Sequence, residues 1–251
     1  MKLEALIFDV DGTLADTERD GHRVAFNKAF SEAGLDWHWS VETYGKLLEV
    51  TGGKERIKYY IDHMLKSFEH SNLTEFIANL HANKTRIYTE LLSTGKIPLR
   101  PGVKRLLEEA RASGMRIAIA TTTTPANVEA LLQNTLGPQG MSWFEVIGAG
   151  DIVPAKKPAP DIYQYVLNEL NLKPEQCIAF EDSSNGIQSS TQAGLRTIIT
   201  VNDYTFDHDF SSAMLVLDHF GEPDAAFTVL SGDAMDGRIV DMDLLQKLNA
   251  D

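Results

Sequence analysis

The chain has 251 residues, enough for one large α/β domain or a core with a smaller domain appended, and its 43% hydrophobic content can bury a substantial core. A formal net charge of −13 argues against nucleic acid or an anionic membrane surface as partner, because both would repel it. No apolar run approaches the ~20 residues of a membrane span, and the single cysteine, Cys177, permits no intrachain disulfide and suits a reducing compartment.

In chain order, the N-terminus leads into a strand almost at once, leaving no room for a signal or transit peptide. The expectation is a cytoplasmic protein, or the mature form of an imported one, acting as a monomer. The first apolar run, residues 5–8, ends in Asp9-Val10-Asp11-Gly12-Thr13. Residues two apart on a strand point the same way, so both carboxylates are expected together where the strand stops. Like charges that close repel. A metal, a shared proton or a phosphoryl group in transit would each give the pair a purpose.

From about residue 17 to 95 the pattern is helical, with no convincing strand. Val24, Ala25, Ala29 and Phe30 fit one face, Phe76, Ile77 and Leu80 another, and Ser40 ahead of Glu42 reads as a helix start. This block is expected to be a small helical domain, 17–96, inserted after the first strand, with 1–16 and 97–251 forming the core. A helix at 102–113, closed by Gly114, leads to a strand at 116–120 and then to Thr121-Thr122-Thr123-Thr124. Further strands are expected at 144–147, 177–180, 197–201 and 214–217, and helices at 127–136 and 161–170, the second entered through Pro158 and Pro160. Most strands are unbroken apolar runs, as in a sheet covered on both faces. Strand alternates with helix, so the fold class is α/β with a doubly wound parallel sheet.

Ligands of open parallel sheets bind beyond the carboxyl ends of the strands. Those ends supply Asp9 and Asp11, then Thr121, then Lys156-Lys157-Pro158, then Glu181-Asp182-Ser183. Each has an ordinary reading: DxD as a turn, Thr as a strand former or cap, Lys156 and even Lys157 as surface, Glu181-Asp182 as a helix cap. Their recurrence in order, each at a strand end, is what a shared site explains.

A charge count says what such a site needs. Four carboxylates face the ammonium of Lys157, and at ~4 Å each charge pair is worth about 4 kcal/mol at an effective dielectric near 20. A phosphate would be rejected unless a cation joined it. Mg²⁺ suits hard oxygen ligands and a shell completed by water and phosphate. The expected holders are Asp9, the Asp11 backbone carbonyl and Asp182, with Glu181 as ligand or support. The histidines and the cysteine show no zinc-site spacing. Asp9 at the metal is the candidate nucleophile, and Asp11 the acid/base. Thr121 and Lys157 are expected to hydrogen-bond the phosphoryl oxygens, with Thr122 and Thr123 on the substrate side.

Within the helical block, TGGKER places Gly52, Gly53, Lys54 and Arg56 at an apparent helix start, where free N–H groups and two cations would hold an anion. The alternative is a helix end with solvated cations. His81 and Lys84 share a helix face. Glu18, near His22, could accept sugar hydroxyls. Trp37-His38-Trp39 reads as core of the block rather than a sugar platform.

DVDGT, the TTTT after a hydrophobic strand, KKPAPDIY and FEDSSNGI resemble the four motifs of the haloacid dehalogenase (HAD) superfamily, over nearly the whole chain. The insertion resembles the cap of the β-phosphoglucomutase-like branch, and DTERDGHRVAFNKAF, GLDWHW, TGGKERI and LHANKT are similar to CbbY proteins. The resemblance implies a Rossmann-like HAD core with a helical cap. It implies Asp9 as nucleophile, Asp11 as acid/base, Thr121 and Lys157 on phosphate and Asp182 on Mg²⁺. For CbbY it implies a sugar-bisphosphate phosphatase acting on xylulose-1,5-bisphosphate, a misfire product that inhibits Rubisco.

A phosphomutase of the same branch would use the same Asp9 and return the phosphoryl group to sugar. A phospho-accepting signalling receiver would need no large cationic insert, and dehalogenation would need neither Glu181 nor Asp182. A nucleotide module would need GxGxxG or GxxxxGK[ST], and neither occurs.

Overall fold

The computed structural model describes residues 2–250. One sheet holds seven strands: β1 (Ala5–Phe8), β2 (Arg116–Thr121), β3 (Val146–Ala149), β4 (Cys177–Glu181), β5 (Arg196–Thr200), β6 (Leu215–Leu217) and β7 (Val229–Gly232). Their order is β3-β2-β1-β4-β5-β6-β7, parallel throughout except for the antiparallel β6–β7 pair. β1 is central, and Phe8 pairs with Ile119 on one side and Phe180 on the other. The carboxyl ends of β1, β2 and β4 therefore finish level, and their loops open onto one rim.

The structure departs from the sequence pattern in several details, among them the unexpected helix Met242–Ala250. β3 starts two residues later than expected, because Phe144 follows a 3₁₀ turn, Gly140–Trp143, and donates its N–H to Met141 O. β7 was not expected at all. Its four residues are all exposed, so it shows neither an apolar run nor a buried face.

Alternation along the strands fills two layers. Leu6 and Phe8 of β1, Ile117 and Ile119 of β2, and Ile178 and Phe180 of β4 face one way, against α5 (Val103–Ala112) and α9 (Met242–Ala250). Ala5, Ile7, Ala118, Ala120, Cys177 and Ala179 face the other. That second face is mostly small, and α7 (Asp161–Leu170) packs on it through Ile162, Tyr163 and Val166. Cys177 is a buried core residue, as its context indicated. α6 (Pro125–Leu136) starts at Thr124, whose hydroxyl accepts from Asn127 N, and α8 (Ser184–Gln192) starts at Ser183.

Between β1 and α5 the chain is helical: a π-turn (Glu18–His22), α1 (Arg23–Glu32), α2 (Val41–Leu47), α3 (Gly53–His63) and α4 (Leu73–Ser93). Ser40 caps α2 by accepting from Thr43 N, as expected from the sequence, and Asn72 caps α4. Phe26, Phe30, Trp37, Trp39 and Tyr44 form a contiguous aromatic cluster, so the two indoles are core. The limbs that enter and leave this block run side by side: Ala15 bridges Leu99, and Arg100 N donates to Leu14 O. Among the described residues no helix is long and apolar enough to cross a membrane.

Candidate active site

At the end of β1, Asp9 N donates to Phe180 O, which fixes the backbone between β1 and β4. The Asp9 carboxylate meets Lys157 Nζ at 2.6 Å, and the same ammonium reaches Glu181 Oε1 at 2.5 Å and Ala120 O at 2.9 Å. Lys157 is thus held by β1, β2 and β4 together. Glu181 Oε1 also accepts from Tyr163 OH at 2.7 Å. Asp182 accepts from Asn202 Nδ2 at 2.7 Å.

Asp9, Glu181 and Asp182 are buried and bring carboxylate oxygens within 4.8 Å of one another. Burial, with Glu181 close by, pushes the Asp9 carboxyl up to about 8. Burial, Asp9 and Glu181 also raise Asp182. Burial works against the Lys157 ammonium, but Asp9 and Glu181 outweigh it and hold its pKa above the ordinary value. Three carboxylates facing one ammonium make a hard-oxygen donor set short of positive charge, which fits a divalent cation.

The loop accommodates this cluster through Gly12. Its φ is +87°, and a Cβ there would lie 2.1 Å from Asp182 Oδ2 and 2.7 Å from Asn202 Nδ2. Only glycine lets the Asp9–Thr13 loop pass this close to the end of β4.

Asp11 does not share the Asp9 position as a continuing strand would require. The strand ends at Phe8 and the chain turns, with Leu14 N donating to Val10 O. The Asp11 carboxylate faces the helical block instead. It accepts from Thr17 Oγ1 at 2.5 Å and lies 2.8 Å from His22 Nε2. Lys84 Nζ lies 2.6 Å from His22 Nδ1. An ammonium only donates, so Nδ1 accepts and Nε2 carries the hydrogen toward Asp11. Burial would raise Asp11, but His22, Thr17 and Lys84 outweigh it and hold it below the usual carboxylate range. Burial lowers the Lys84 ammonium to about 8. It sits over the rings of Phe26 and Tyr88.

Two adjoining hollows lie between the helical block and the sheet rim. Asp9, Thr121, Lys157, Asp182 and Asn185 line the first. Gly52, Gly53, Lys54, His81, Lys84 and Thr123 line the second, and Asp11, Glu18, Arg56 and Thr122 belong to both. Every residue expected at the site therefore borders this cleft except Glu181, which stands behind it and holds Lys157.

The roles of several residues differ from a solvated cation cluster. Arg56 is buried and donates to Leu47 O at 3.0 Å, Val50 O at 3.3 Å and Tyr44 OH at 2.8 Å, with Glu18 at 3.9 Å. Tyr44 OH in turn donates to Glu18. Thr121 Oγ1 accepts from Thr123 N at 3.3 Å, and Thr123 Oγ1 accepts from Asn127 Nδ2 at 2.9 Å. The His81 ring lies over Gly53, and burial first, then Lys84 and Lys54, lower its pKa to about 3. Lys156, read from the sequence as surface, lines the second hollow and is 16% exposed. One partner, Glu55, comes from the helical block, and the other, Asp151, from the loop after β3.

Several supporting residues were not anticipated: Tyr163 on Glu181, Asn202 on Asp182, and Arg100. The Arg100 guanidinium donates to Gly12 O, to Thr200 O at 3.2 Å, to Val201 O at 2.5 Å and to Asp218 O at 2.8 Å. It ties the returning limb of the helical block to the carboxyl ends of β5 and β6. A lone Arg before Pro101 carries no sequence signal for this, because its acceptors are backbone carbonyls up to 118 positions away.

Residues 3–194 match the model of the haloacid dehalogenase-like hydrolases. The chain belongs to that family of enzymes. Within it the likeness is narrower. The CbbY protein of Rhodobacter capsulatus is 50% identical over 213 residues, 85% of this chain and 92% of that one. The plasmid CbbY protein of Cupriavidus necator is 47% identical over 224 residues, 88% of this chain and 87% of that one. A crystal structure of a CbbY mutant from Rhodobacter sphaeroides in complex with xylulose-(1,5)bisphosphate is 45% identical, with TM-score 0.82 over 86% of this chain and 94% of that one. Within the HAD hydrolases this chain is of the CbbY type.

Proposed function

We propose that the protein removes one phosphate from a small sugar bisphosphate, with xylulose-1,5-bisphosphate as substrate, in a Mg²⁺-dependent reaction through an aspartyl-phosphate. The observation that carries this reading is the pairing of two hollows. One holds the buried Asp9–Lys157–Asp182 cluster, and the other is lined by Lys54, Lys84 and Lys156. A substrate with an anionic group at each end matches both. The relative bound to xylulose-(1,5)bisphosphate supports the same substrate.

Residues 17–96 act as a cap over a core of 1–16 and 97–251. Mg²⁺ would be held by Asp9, the Asp11 backbone carbonyl and Asp182, and it would offset the negative charge gathered there. Glu181 serves as support, since its Oε1 is already engaged by Lys157 and Tyr163. Asp9, oriented by Lys157, attacks phosphorus as the bond from phosphorus to the sugar oxygen breaks. Lys157 and Thr121 hydrogen-bond the phosphoryl oxygens as charge spreads over them. Asp11 passes a proton to the leaving sugar oxygen, and that proton reaches it by relay: the Lys84 ammonium gives one to His22 Nδ1 as Nε2 gives one to Asp11. Asp11 then takes a proton from the water that attacks the phosphorus of the aspartyl-phosphate, which releases phosphate and restores Asp9.

In the second hollow Lys54, Lys84, His81 and the backbone at Gly52 and Gly53 receive the distal phosphate. Glu18, Thr122 and Thr123 face the sugar, and Arg56 holds Glu18 and Tyr44 in place. The cleft is complete within one chain, which supports action as a monomer.

The test is phosphate release across a panel of sugar mono- and bisphosphates. One equivalent from xylulose-1,5-bisphosphate, at the highest kcat/KM of the panel, is expected. Interconversion of β-glucose 1-phosphate and glucose 6-phosphate without net phosphate release would overturn the reading in favour of a mutase.

A further inference from the structure

The second hollow is not a bare cationic pocket. Asp151, in the loop after β3, projects into it between two ammonium groups. Lys54 Nζ, from the start of α3, lies 2.5 Å from Asp151 Oδ2, and Lys156 Nζ, from the loop before α7, lies 3.0 Å from Oδ1. One lysine belongs to the helical block and the other to the sheet side, so a single carboxylate spans the cleft. Glu55, beside Lys54, reaches back to Lys156 at 3.0 and 3.1 Å. The backbone is shaped around this cluster. Gly52 has φ +99°, and a Cβ there would stand 2.2 Å from Glu55 Oε2 and 2.9 Å from Lys156 Nζ.

Charge accounting shows what this does to a ligand. Lys54 and Lys156 are matched one for one by Asp151 and Glu55. The two carboxylates are not equivalent. Asp151 lines the hollow, with its side chain 60% exposed, whereas Glu55 does not line it. Asp151 is therefore the carboxylate that an entering anion would meet, and it is free to swing away.

The geometry points to Asp151 as a stand-in for the substrate's distal phosphate: it ties Lys54 to Lys156 while no anion occupies that position, and the distal phosphate displaces it. This deepens the bisphosphate reading and rests on it. A phosphate dianion brings more charge and a third acceptor oxygen, so it wins the two ammonium groups. A substrate with a neutral distal end cannot displace the carboxylate and must lie against an ion pair already made. Asp151 would thus hold the affinity for a distal phosphate below what Lys54 and Lys156 alone would give, while a substrate with a neutral distal end is little affected by it.

Asp151→Asn tests this, because it keeps the shape and removes the competing charge. Exposed ion pairs are weak, so the expected change is about fivefold. Two readings are taken. One is the ratio of kcat/KM for xylulose-1,5-bisphosphate to that for xylulose 5-phosphate. The other is the inhibition constant of propane-1,3-bisphosphonate against an artificial monophosphate substrate. If Asp151 competes with the distal anion, the variant binds the bisphosphonate about fivefold more tightly, and the ratio shifts as bisphosphate KM falls relative to monophosphate KM. Weaker or unchanged bisphosphonate binding would overturn the inference, since it would make Asp151 a brace for the lysines or a bystander. The two readings fail separately. A wild-type enzyme that releases no phosphate from the bisphosphate defeats the function, while competition by the bisphosphonate still decides the role of Asp151.

Discussion

His22 Nε2 lies 2.8 Å from Asp11 Oδ1, joining the helical block to the Asp9–Thr13 loop at the carboxylate proposed to move a proton. The ring is buried and stacked on Tyr88, with centroids 3.9 Å apart, so it has little freedom to turn. His22→Ala should lower kcat by about 10²-fold, the usual contribution of a positioned proton carrier, with a much smaller change in KM. Steady-state kinetics read this directly. A kcat close to wild type would leave His22 only a packing role.

Lys54 and Arg56 are neighbours in sequence but should behave differently. Lys54 is only partly buried and its partner lies across the cleft, so Lys54→Ala should raise KM for the bisphosphate and leave thermal stability nearly unchanged. Arg56 is buried among Leu47 O, Val50 O and Tyr44 OH. Arg56→Ala should cost about 3 kcal/mol of stability, because it strands those acceptors and Glu18 together. Urea unfolding separates the two, and equal stability losses would contradict this assignment.

Tyr163 reaches the site only through Glu181. Tyr163→Phe keeps the ring in its pocket and takes one donor from a buried carboxylate, which should cost about 1–3 kcal/mol. Lys157 would then be less firmly held, and kcat should drop while substrate KM changes little. Unaltered stability would mean that the Tyr163–Glu181 bond carries no net weight.

His81 gives the stability a pH dependence. Burial, Lys84, Lys54, Lys156 and His22 all favour its neutral form and lower its pKa to about 3. Between that value and the ordinary histidine range near 6.5, the unfolded chain binds a proton that the folded chain refuses. Stability from this residue is full above pH 6.5 and falls as pH drops toward 3, by about 1.4 kcal/mol for each pH unit crossed. Urea titrations should show a shallower loss for His81→Gln than for wild type over that window. Parallel curves would contradict the cause given.

What could be read from the sequence follows from how local each signal is. Asp9, Thr121 and Asp182 sit at or just past strand ends in register, so the strand pattern placed them on one rim, while Lys157 arrives there from the longer loop after β3. Ser40 and Thr124 showed themselves as caps because a cap acts within three residues. Asp11 was expected beside Asp9 where the strand stops, and the tight turn after Phe8, made possible at Gly12, sent its carboxylate toward His22 instead. The contacts that pair Lys54 with Asp151 and Asn202 with Asp182 join residues 97 and 20 positions apart, and no spacing rule reaches them. β7 was illegible for the opposite reason: an exposed edge strand has no buried face to pattern.

Covalent capture during turnover tests the central claim most directly. Wild-type protein turning over xylulose-1,5-bisphosphate with Mg²⁺ is reduced with borohydride, which converts an acyl phosphate to an alcohol, and the modified residue is found by peptide mass spectrometry. The account predicts modification at Asp9 alone, dependent on substrate, with no phosphate release and no modification in Asp9→Asn. Turnover by Asp9→Asn at the wild-type rate, or capture at Asp11, Glu181 or Asp182 instead, would contradict it.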